Sequence, residues 1–249
     1  LLGLFHRLTV AIVDRALGPG VNAFSRRLGL APARDLLFDW TNSPDRVLGL
    51  FPEWFGPPQP DWPPRTRLTG FPLFDPVDAG REAATLDELS PGGVAPLVAT
   101  PGSANIHARR FFAAVVAASR ALGRPAILLT RHRAQLPERL PPGVTHLDYV
   151  PLGALLPRAA ALIHHGGVGT TAQGLAAGVP QLVMPMSHDQ PDNAARLGRL
   201  GVGAALAPGR FTGARVASAL DRLLGAPGVR ARCRELAARC DPAVLEATA

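Results

Sequence analysis

Short apolar segments alternate with helical patterns from about residue 94 onward, and this alternation constrains the fold more than any other feature. Runs such as APLVAT, PAILLT, AALIHH and PQLVMP have the length and apolarity of buried strands. Amphipathic stretches lie between them, such as IHARRFFAAVVAASRAL, which is followed by Gly123, and QPDNAARLGRLG. Strands that alternate with helices predict an α/β fold with a doubly wound, Rossmann-like parallel sheet.

The remaining segments complete the predicted domain organisation. Further strands are predicted over VTHLDYV and VGAALA, and further helices over LGALLPRA, TTAQGLAAG, and about 213–225 and 228–239. Residues 1–75 instead predict two helices followed by short strands over DRVLGLFP and RLTGFPLF, and residues 76–93 are polar and rich in turn residues. The predicted organisation is therefore a first domain at 1–75, a linker at 76–93 and a second domain at 94–249.

Composition and charge exclude several classes of protein. With 47% hydrophobic residues, the 249-residue chain can bury a substantial core. Its net charge is +7, but all 26 basic residues are arginines that are scattered among acidic residues, so we do not expect a nucleic-acid partner. The first apolar stretch is interrupted by Arg7, Asp14 and Arg15, which favours an amphipathic core helix over a membrane span or a signal peptide.

Two cysteines, Cys233 and Cys240, lie seven residues apart in a helical pattern. This spacing supports neither a disulfide framework nor a zinc site, and it suits a reducing compartment. We therefore expect a cytoplasmic protein.

Chemistry-bearing loops follow four of the predicted strands: TPGSAN, YVP, HHGGVGTT and PMSHDQPDN. Open parallel sheets bind ligands at the carboxyl ends of their strands, where the strand order reverses. All four loops should therefore meet at one edge of the sheet.

The loop HHGGVGTT, residues 164–171, lies between a strand and a helix. Its glycines allow a ligand to approach the backbone, and the free N–H groups of the first helical turn attract anions. His165, Thr170 and Thr171 add side-chain donors, so the pattern predicts a cradle for a diphosphate. The loop lacks the lysine of a P-loop and the G-x-G-x-x-G pattern of dinucleotide-binding proteins. A glycine-rich turn without a ligand is the alternative.

A metal site is a second alternative, with His164, His165, His188 and Asp189 as possible ligands. Adjacent residues of a strand point to opposite faces, so His164 and His165 do not readily share a metal. No third ligand occurs at a usual spacing. We therefore predict no metal and no cofactor, and we expect His164 to face the protein.

The loop PMSHDQPDN carries Asp189 and Gln190, whose acceptors and donors suit a ligand with many hydroxyl groups, such as a sugar. Alternatively, Asp189 only caps the helix that begins there.

Taken together, residues 164–197 closely resemble the donor-binding signature of nucleotide-sugar-dependent glycosyltransferases of the plant, macrolide and sterol glucosyltransferase type. TPGSAN and DYVP also fall where that family has loops that contact the donor. The resemblance is dense over about 94–230 and looser over PDWPP…LTGFPLFD. It implies a GT-B fold of family 1 type, in which residues 1–75 are the tail of the N-terminal domain, and an inverting transfer without a bound metal.

The resemblance also implies a role for each matching position. Diphosphate contacts fall on His165, Gly167, Gly169 and Thr170. Sugar contacts fall on Asp189 and Gln190, and nucleoside contacts fall on Gly102, Ser103, Tyr149 and Val150. The chain has Gly166, Val168 and Gly169 where the plant form has Cys, Trp and Asn, and in this it is more similar to bacterial antibiotic and sterol-type members.

The family's catalytic base is usually a histidine with an aspartate partner near the start of the N-terminal domain, and this chain has no match to it. His6 lies in a helical pattern that does not fit that position, so no catalytic residue is assigned. We therefore expect a glycosyltransferase fragment that is inactive alone. It would bind a UDP- or TDP-sugar for transfer to a hydroxyl of a lipophilic small molecule or lipid, and any membrane contact would come only through that acceptor.

Three other functions stay open: a non-catalytic nucleotide-sugar binding module, a nucleotide-sugar epimerase of the same fold, and a zinc-dependent hydrolase.

Overall fold

The computed structural model of the chain describes residues 2–74, 93–103 and 105–240. It divides into two compact units, Leu1–Thr69 and Gly70–Ala249. The linker expected at 76–93 lies, except for its last residue, outside the described ranges. Each unit is considered by itself below.

The first unit begins with one long helix, α1 (Leu2–Arg27), where the sequence predicts two helices, and Pro19 lies inside it. Tertiary contacts on both sides of the proline account for the difference. The Asp14 carboxylate accepts hydrogen bonds from the backbone N–H groups of Asp35 and Leu36, at 2.8 and 2.9 Å. After the proline, the Asn22 amide exchanges two hydrogen bonds with the backbone of Ala33. Both halves of α1 are thus held to the same following segment, which offsets the cost of a proline inside a helix.

The apolar residues of α1 are largely exposed within this unit. Leu8, Ile12, Leu17 and Phe24 each have more than half of their surface accessible. The expected core helix is therefore not observed in the described part of the chain. None of the described helices, α1 included, is both long and apolar enough to cross a membrane. Two short parallel strands complete the unit, β1 (Val47–Gly49) and β2 (Thr66–Leu68).

The second unit contains a six-stranded parallel sheet in the order β5-β4-β3-β6-β7-β8. Its strands are β3 Leu97–Thr100, β4 Ala126–Leu129, β5 Val144–Leu147, β6 Ala161–His164, β7 Gln181–Val183 and β8 Gly203–Ala205. Its helices are α2 Arg109–Leu122, α3 Leu152–Leu155, α4 Val168–Ala176, α5 Gln190–Arg199, α6 Gly213–Gly225 and α7 Val229–Ala238. Each lies where the sequence pattern predicts it, which confirms the α/β, doubly wound prediction.

The four central strands, β4, β3, β6 and β7, are buried on both faces, which is why they are apolar at successive positions rather than at alternate ones. One face packs residues such as Leu97, Leu128 and Ile163 against Phe111 and Phe112 of α2 and Leu220 of α6. The other face packs residues such as Val98, Ile127 and Leu162 against Leu155 and Leu156. Burial of each large apolar side chain of this kind contributes about 1.5–3 kcal/mol to stability.

The strand order reverses between β3 and β6. These two strands are neighbours in the sheet, and the register pairs their last residues, Thr100 and His164. The loops that follow them begin side by side at the carboxyl edge. This is the position at which open parallel sheets form a ligand-binding crevice.

Candidate functional site

The ring of His165 lies between two glycines that belong to different loops. A Cβ built on Gly102 would lie 2.8 Å from Cε1 and 2.9 Å from Nε2 of the ring, and one built on Gly167 would lie 2.5 Å from Nε2. Gly102 also has a φ of 90°, a left-handed conformation that side chains rarely adopt. Glycine at both positions is therefore required to seat this imidazole at the crevice.

Gly166, between His165 and Gly167, has both of its backbone polar groups hydrogen-bonded to side chains. Its N–H donates to Nδ1 of His164 at 3.2 Å, and its carbonyl accepts from Nδ2 of Asn193 at 2.9 Å. Its φ is 97°, and an added Cβ would lie 2.7 Å from Cγ1 of Val183. The path of the loop from β6 to α4 is thus set by buried polar contacts as well as by packing.

His164 is buried completely, as expected for a residue that faces the protein. Burial, together with a smaller contribution from the neighbouring His165, lowers its pKa from 6.5 to about 3. Because Nδ1 accepts the Gly166 N–H, the ring is neutral and carries its hydrogen on Nε2. The two histidine rings are 6.2 Å apart and perpendicular, so they do not converge on one point.

His165 is partly exposed, and burial lowers its pKa while the Asp189 carboxylate opposes that shift. The ring is therefore neutral at pH 7 and donates from one nitrogen only. Its Nδ1 is buried and makes no hydrogen bond within the described ranges. Its Nε2 edge lies next to Gly167, where α4 begins.

The start of α4 offers backbone N–H groups to an anion. Gly167 is the N-cap residue, has no side chain, and accepts the first helical hydrogen bond, from Thr171, at 3.0 Å. The N–H groups of the first turn of α4, before Thr171, have no carbonyl partner within the helix. The helix dipole adds positive potential at the same place. Gly169 is exposed and has open space around its Cα, so a ligand can approach the backbone closely.

A cavity of about 550 Å³ adjoins this turn. Five residues that the sequence singles out lie together in its wall: Gly102, Ser103, Tyr149, Val150 and Thr170. The wall also contains residues that the sequence analysis missed, namely Thr100, Leu129, Thr130, Arg131, His132, Asp148 and Leu152. A signal for several of them existed, because Thr130, Arg131 and His132 directly follow β4 and so lie at the same carboxyl edge.

The rim of the cavity is ordered by side-chain contacts. The Arg131 guanidinium lies 5.9 Å from the centre of the Tyr149 ring, a cation–π geometry. Nε2 of His146 donates to the Thr130 carbonyl at 2.7 Å, which joins the loop after β4 to the end of β5. The cavity therefore combines a flat aromatic and guanidinium surface with an apolar wall.

Asp189 and Gln190 lie on the loop after β7, at the start of α5. Asp189 occupies the N-cap position but makes no capping hydrogen bond; its Oδ2 accepts from Nδ2 of Asn193 at 2.7 Å. The capping alternative is therefore not what the structure shows. Oε1 of Gln190 accepts the N–H groups of Met186 and Ser187 at 2.8 and 3.2 Å, which orders the loop and leaves the amide nitrogen as its donor.

The residues considered as metal ligands are not assembled. His164 is inside the protein, and the exposed His188 has its Nδ1 2.8 Å from Oγ of Ser187. Within residues 2–74, 93–103 and 105–240, no group of three or more His, Cys, Asp or Glu side chains is placed to hold a metal ion.

Comparisons with known proteins identify the family of the chain. Residues 121–245 match the family of the erythromycin biosynthesis protein CIII-like C-terminal domain. The chain is 34% identical over 231 residues to the O-mycaminosyltylonolide 6-deoxyallosyltransferase of Streptomyces fradiae, a match that covers 87% of this chain and 51% of the relative. It is 43% identical over 99 residues to the elloramycin glycosyltransferase ElmGT of Streptomyces olivaceus, covering 40% and 24%.

Solved structures show the same fold. The glycotransferase of kitacinnamycin superposes with a TM-score of 0.75 at 25% identity, covering 97% of this chain and 62% of that one. The spinosyn forosaminyltransferase SpnP superposes with a TM-score of 0.71 at 23% identity, covering 90% and 57%.

The chain spans about half the length of that deoxyallosyltransferase. These relatives are named as glycosyltransferases, and the neighbours have the GT-B fold that the sequence resemblance implies. The chain therefore belongs to the erythromycin biosynthesis protein CIII-like family of glycosyltransferases and carries the C-terminal domain of that family.

Proposed function

We propose that the second unit binds a nucleoside-diphosphate sugar, UDP- or TDP-linked, in the crevice at the carboxyl edge of the sheet. The observation that carries the proposal is the His165 ring, which is held between Gly102 and Gly167 at the start of α4 and beside the 550 Å³ cavity. An anion-attracting helix start next to a roomy, partly apolar cavity suits a ligand with a diphosphate joined to a nucleoside.

The diphosphate lies against His165, Gly167, Gly169 and Thr170 in this proposal. The bare backbone of the two glycines admits the phosphate oxygens, and the imidazole N–H and the Thr170 hydroxyl donate to them. Hydrogen bonds to charged oxygens are shorter and stronger than those between neutral groups. Because the ring is neutral, its contribution is a directed N–H rather than a full positive charge.

The nucleoside fills the cavity, with Tyr149 and Val150 beside the base and Gly102 and Ser103 beneath the donor. The sugar projects toward Asp189 and the amide nitrogen of Gln190. The Asp189 carboxylate accepts from sugar hydroxyls and the Gln190 amide donates to them.

In the whole enzyme, we propose an inverting transfer without a metal. An acceptor hydroxyl attacks the anomeric carbon of the sugar, the new C–O bond forms, and the bond to the diphosphate breaks with its electron pair on the departing phosphate oxygen. The hydroxyl proton goes to a base that is not assigned to this chain. Donors already in place around the diphosphate stabilise the charge that develops there.

The acceptor is proposed to be a lipophilic small molecule or lipid with a free hydroxyl. Names of relatives support this class: the matches include an aklavinone 7-beta-L-rhodosaminyltransferase and a tylactone mycaminosyltransferase. We expect the isolated chain to bind the donor and to transfer no sugar.

Calorimetry of the folded chain with UDP, TDP and NAD tests the donor site. Heat with either diphosphate and none with NAD is expected, and no heat with UDP or TDP would refute the proposal. The His165→Ala variant should weaken diphosphate binding by about 1.5–3 kcal/mol, the range for a hydrogen bond to a charged group. His107→Ala is the matched control, because His107 is exposed and lies outside the cavity. If His164→Ala weakens binding and His165→Ala does not, the roles of the pair are reversed.

A further inference from the structure

Asn193 joins two loops that follow different strands of the sheet. It lies on α5, is 5% exposed, and is not among the residues placed above against the donor. Its Nδ2 group donates to the Gly166 carbonyl at 2.9 Å and to Oδ2 of Asp189 at 2.7 Å. Its own backbone N–H donates to the Asp189 carbonyl at 2.9 Å. One side-chain amide thus connects the loop after β6 with the loop after β7.

The chemistry of this connection requires a primary amide. Both partners are acceptors, and the NH₂ group of asparagine supplies two donors from one atom. An aspartate at this position would place a carboxylate against a carbonyl and a second carboxylate. An apolar residue would leave the buried Gly166 carbonyl without this donor, which is costly inside a protein.

The two oxygens that Asn193 holds belong to Gly166 and Asp189, and both residues border the proposed diphosphate and sugar subsites. Gly166 lies between His165 and Gly167, so the orientation of its peptide affects both the imidazole and the first turn of α4. Asp189 supplies the carboxylate proposed to accept from the sugar, and it lies near enough to His165 to oppose the lowering of that ring's pKa. A shift of Asn193 therefore alters both subsites at once.

We propose that Asn193 is a positioning residue that couples the diphosphate loop to the sugar-contacting carboxylate of Asp189. The inference rests on the proposed function, because it takes Asp189 as the sugar contact. It goes beyond that function in naming the group that aligns the two subsites with each other.

A positioning role for Asn193 predicts that its loss affects binding of the diphosphate and of the complete donor unequally. A residue that only stabilises the fold would affect the bare diphosphate and the complete donor equally. A residue that aligns Asp189 with the diphosphate loop affects the complete donor more, because only the complete donor occupies both subsites.

The test is a double-mutant cycle on four proteins: the wild-type chain, Asn193→Ala, Asp189→Ala and the double variant. The affinity of each for TDP and for TDP-glucose is measured. UDP and UDP-glucose replace these ligands if the chain prefers uridine. Asn193→Ala should lower the affinity for the sugar nucleotide by about tenfold more than that for the diphosphate, equivalent to loss of one charge-assisted hydrogen bond. This extra loss should disappear in the Asp189→Ala background. Equal losses for both ligands, or the same extra loss in both backgrounds, would overturn the inference.

Asp192→Asn is the matched control, since it removes an exposed ion pair with Arg196 on the same helix and touches neither loop. It should leave both affinities unchanged. Because Asp189 is exposed, its variant keeps the fold, and Asn193→Ser, which retains one donor, replaces the alanine variant if the latter does not fold.

A measurement without ligand separates this inference from the proposed function. NMR titration of the His165 ring should give a lower pKa in Asn193→Ala than in the wild-type chain, because the Asp189 carboxylate is no longer held near it, and Asp192→Asn should not change that pKa. An unchanged His165 pKa and an unchanged Gly166 amide shift would overturn the inference. If the wild-type chain binds neither diphosphate nor sugar nucleotide, the proposed function fails, and the titration still decides the role of Asn193.

Discussion

The imidazole of His165 lies so close to Gly102 that a Cβ on that glycine would come within 2.8 Å of the ring. The two residues lie on loops that follow adjacent strands, β3 and β6. Their contact means that the loop after β3 supports the ring that is proposed to bind the diphosphate. Substitutions in either loop therefore act on the same group.

The Gly102→Ala variant should weaken diphosphate binding about tenfold or more, because the new methyl group displaces the His165 ring. It should also lower the free energy of unfolding by about 1–3 kcal/mol, since alanine is strained at a φ of 90°. Calorimetry and chemical denaturation measure the two effects. Gly123→Ala is the control: Gly123 has a φ of 58° and no neighbour within 4 Å, so it carries the strain without the contact. Equal binding by both variants would contradict the contact.

Two glycines of the α4 turn should respond differently to alanine. At Gly167 the added methyl group would meet Nε2 of His165 at 2.5 Å, whereas at Gly169 it meets nothing. We expect Gly169→Ala to leave stability unchanged or raise it by up to about 1 kcal/mol, as helix propensity dictates, yet to weaken diphosphate binding. Gly167→Ala should reduce both. If Gly169→Ala binds as tightly as the wild-type chain, the diphosphate does not approach that backbone.

Stability should decrease as the pH is lowered, because of His164. Burial lowers its folded-state pKa to about 3, below the value near 6.5 of an unfolded chain. Between these values the unfolded state binds more protons than the folded state, so the free energy of unfolding rises with pH. The slope from this one group approaches about 1.4 kcal/mol per pH unit below pH 6 and vanishes above pH 7.

Urea denaturation of wild-type and His164→Asn chains at pH 7, 6, 5 and 4.5 isolates this contribution. Asparagine does not titrate, and its carbonyl oxygen can accept the Gly166 N–H in place of Nδ1. The variant should therefore show a shallower dependence on pH. Identical slopes would mean that the His164 ring is not the group responsible.

The two cysteines should react slowly in the native protein. Burial raises the pKa of Cys233 and of Cys240 to about 11, so little thiolate exists at pH 8. Both side chains are also buried and unpaired. Alkylation with iodoacetamide, followed by mass spectrometry, should modify neither residue rapidly until urea is added. Rapid modification of the native chain at pH 8 would contradict this burial.

The sequence predicts the second unit well because its elements depend on local pattern. Apolar runs of strand length and a helix stop such as Gly123 are legible without tertiary information, and the carboxyl-edge rule then brings Gly102, Tyr149 and Thr170 together. The long α1 is different. Two helices are predicted there, and only the contacts of Asp14 and Asn22 with the segment after the helix explain why one helix continues through Pro19.

Some residues of the site also could not be predicted from local sequence pattern. Arg131 and His132 lie in the cavity wall, but the loop after β4 has no recognisable motif, so position at the sheet edge is the one signal for them. Asn193 is less accessible still to sequence reasoning. Its partners, Gly166 and Asp189, are 27 and 4 residues away, and the significance of the amide appears only when the fold brings both to it.

The strand order has a practical consequence for redesign. Along the sheet edge, the loops after β5 and β4 line most of the cavity, those after β3 and β6 hold His165, and the loop after β7 carries Asp189. Neighbouring strands are roughly 4.8 Å apart, so these loops span about 19 Å in the order base, diphosphate, sugar of the proposed donor. The base and the sugar of the proposed donor are then contacted by different segments of the chain. Exchanging the loop after β5, which carries Tyr149 and Val150, for that of a relative should alter the choice of base, and exchanging the loop after β7 should alter the choice of sugar.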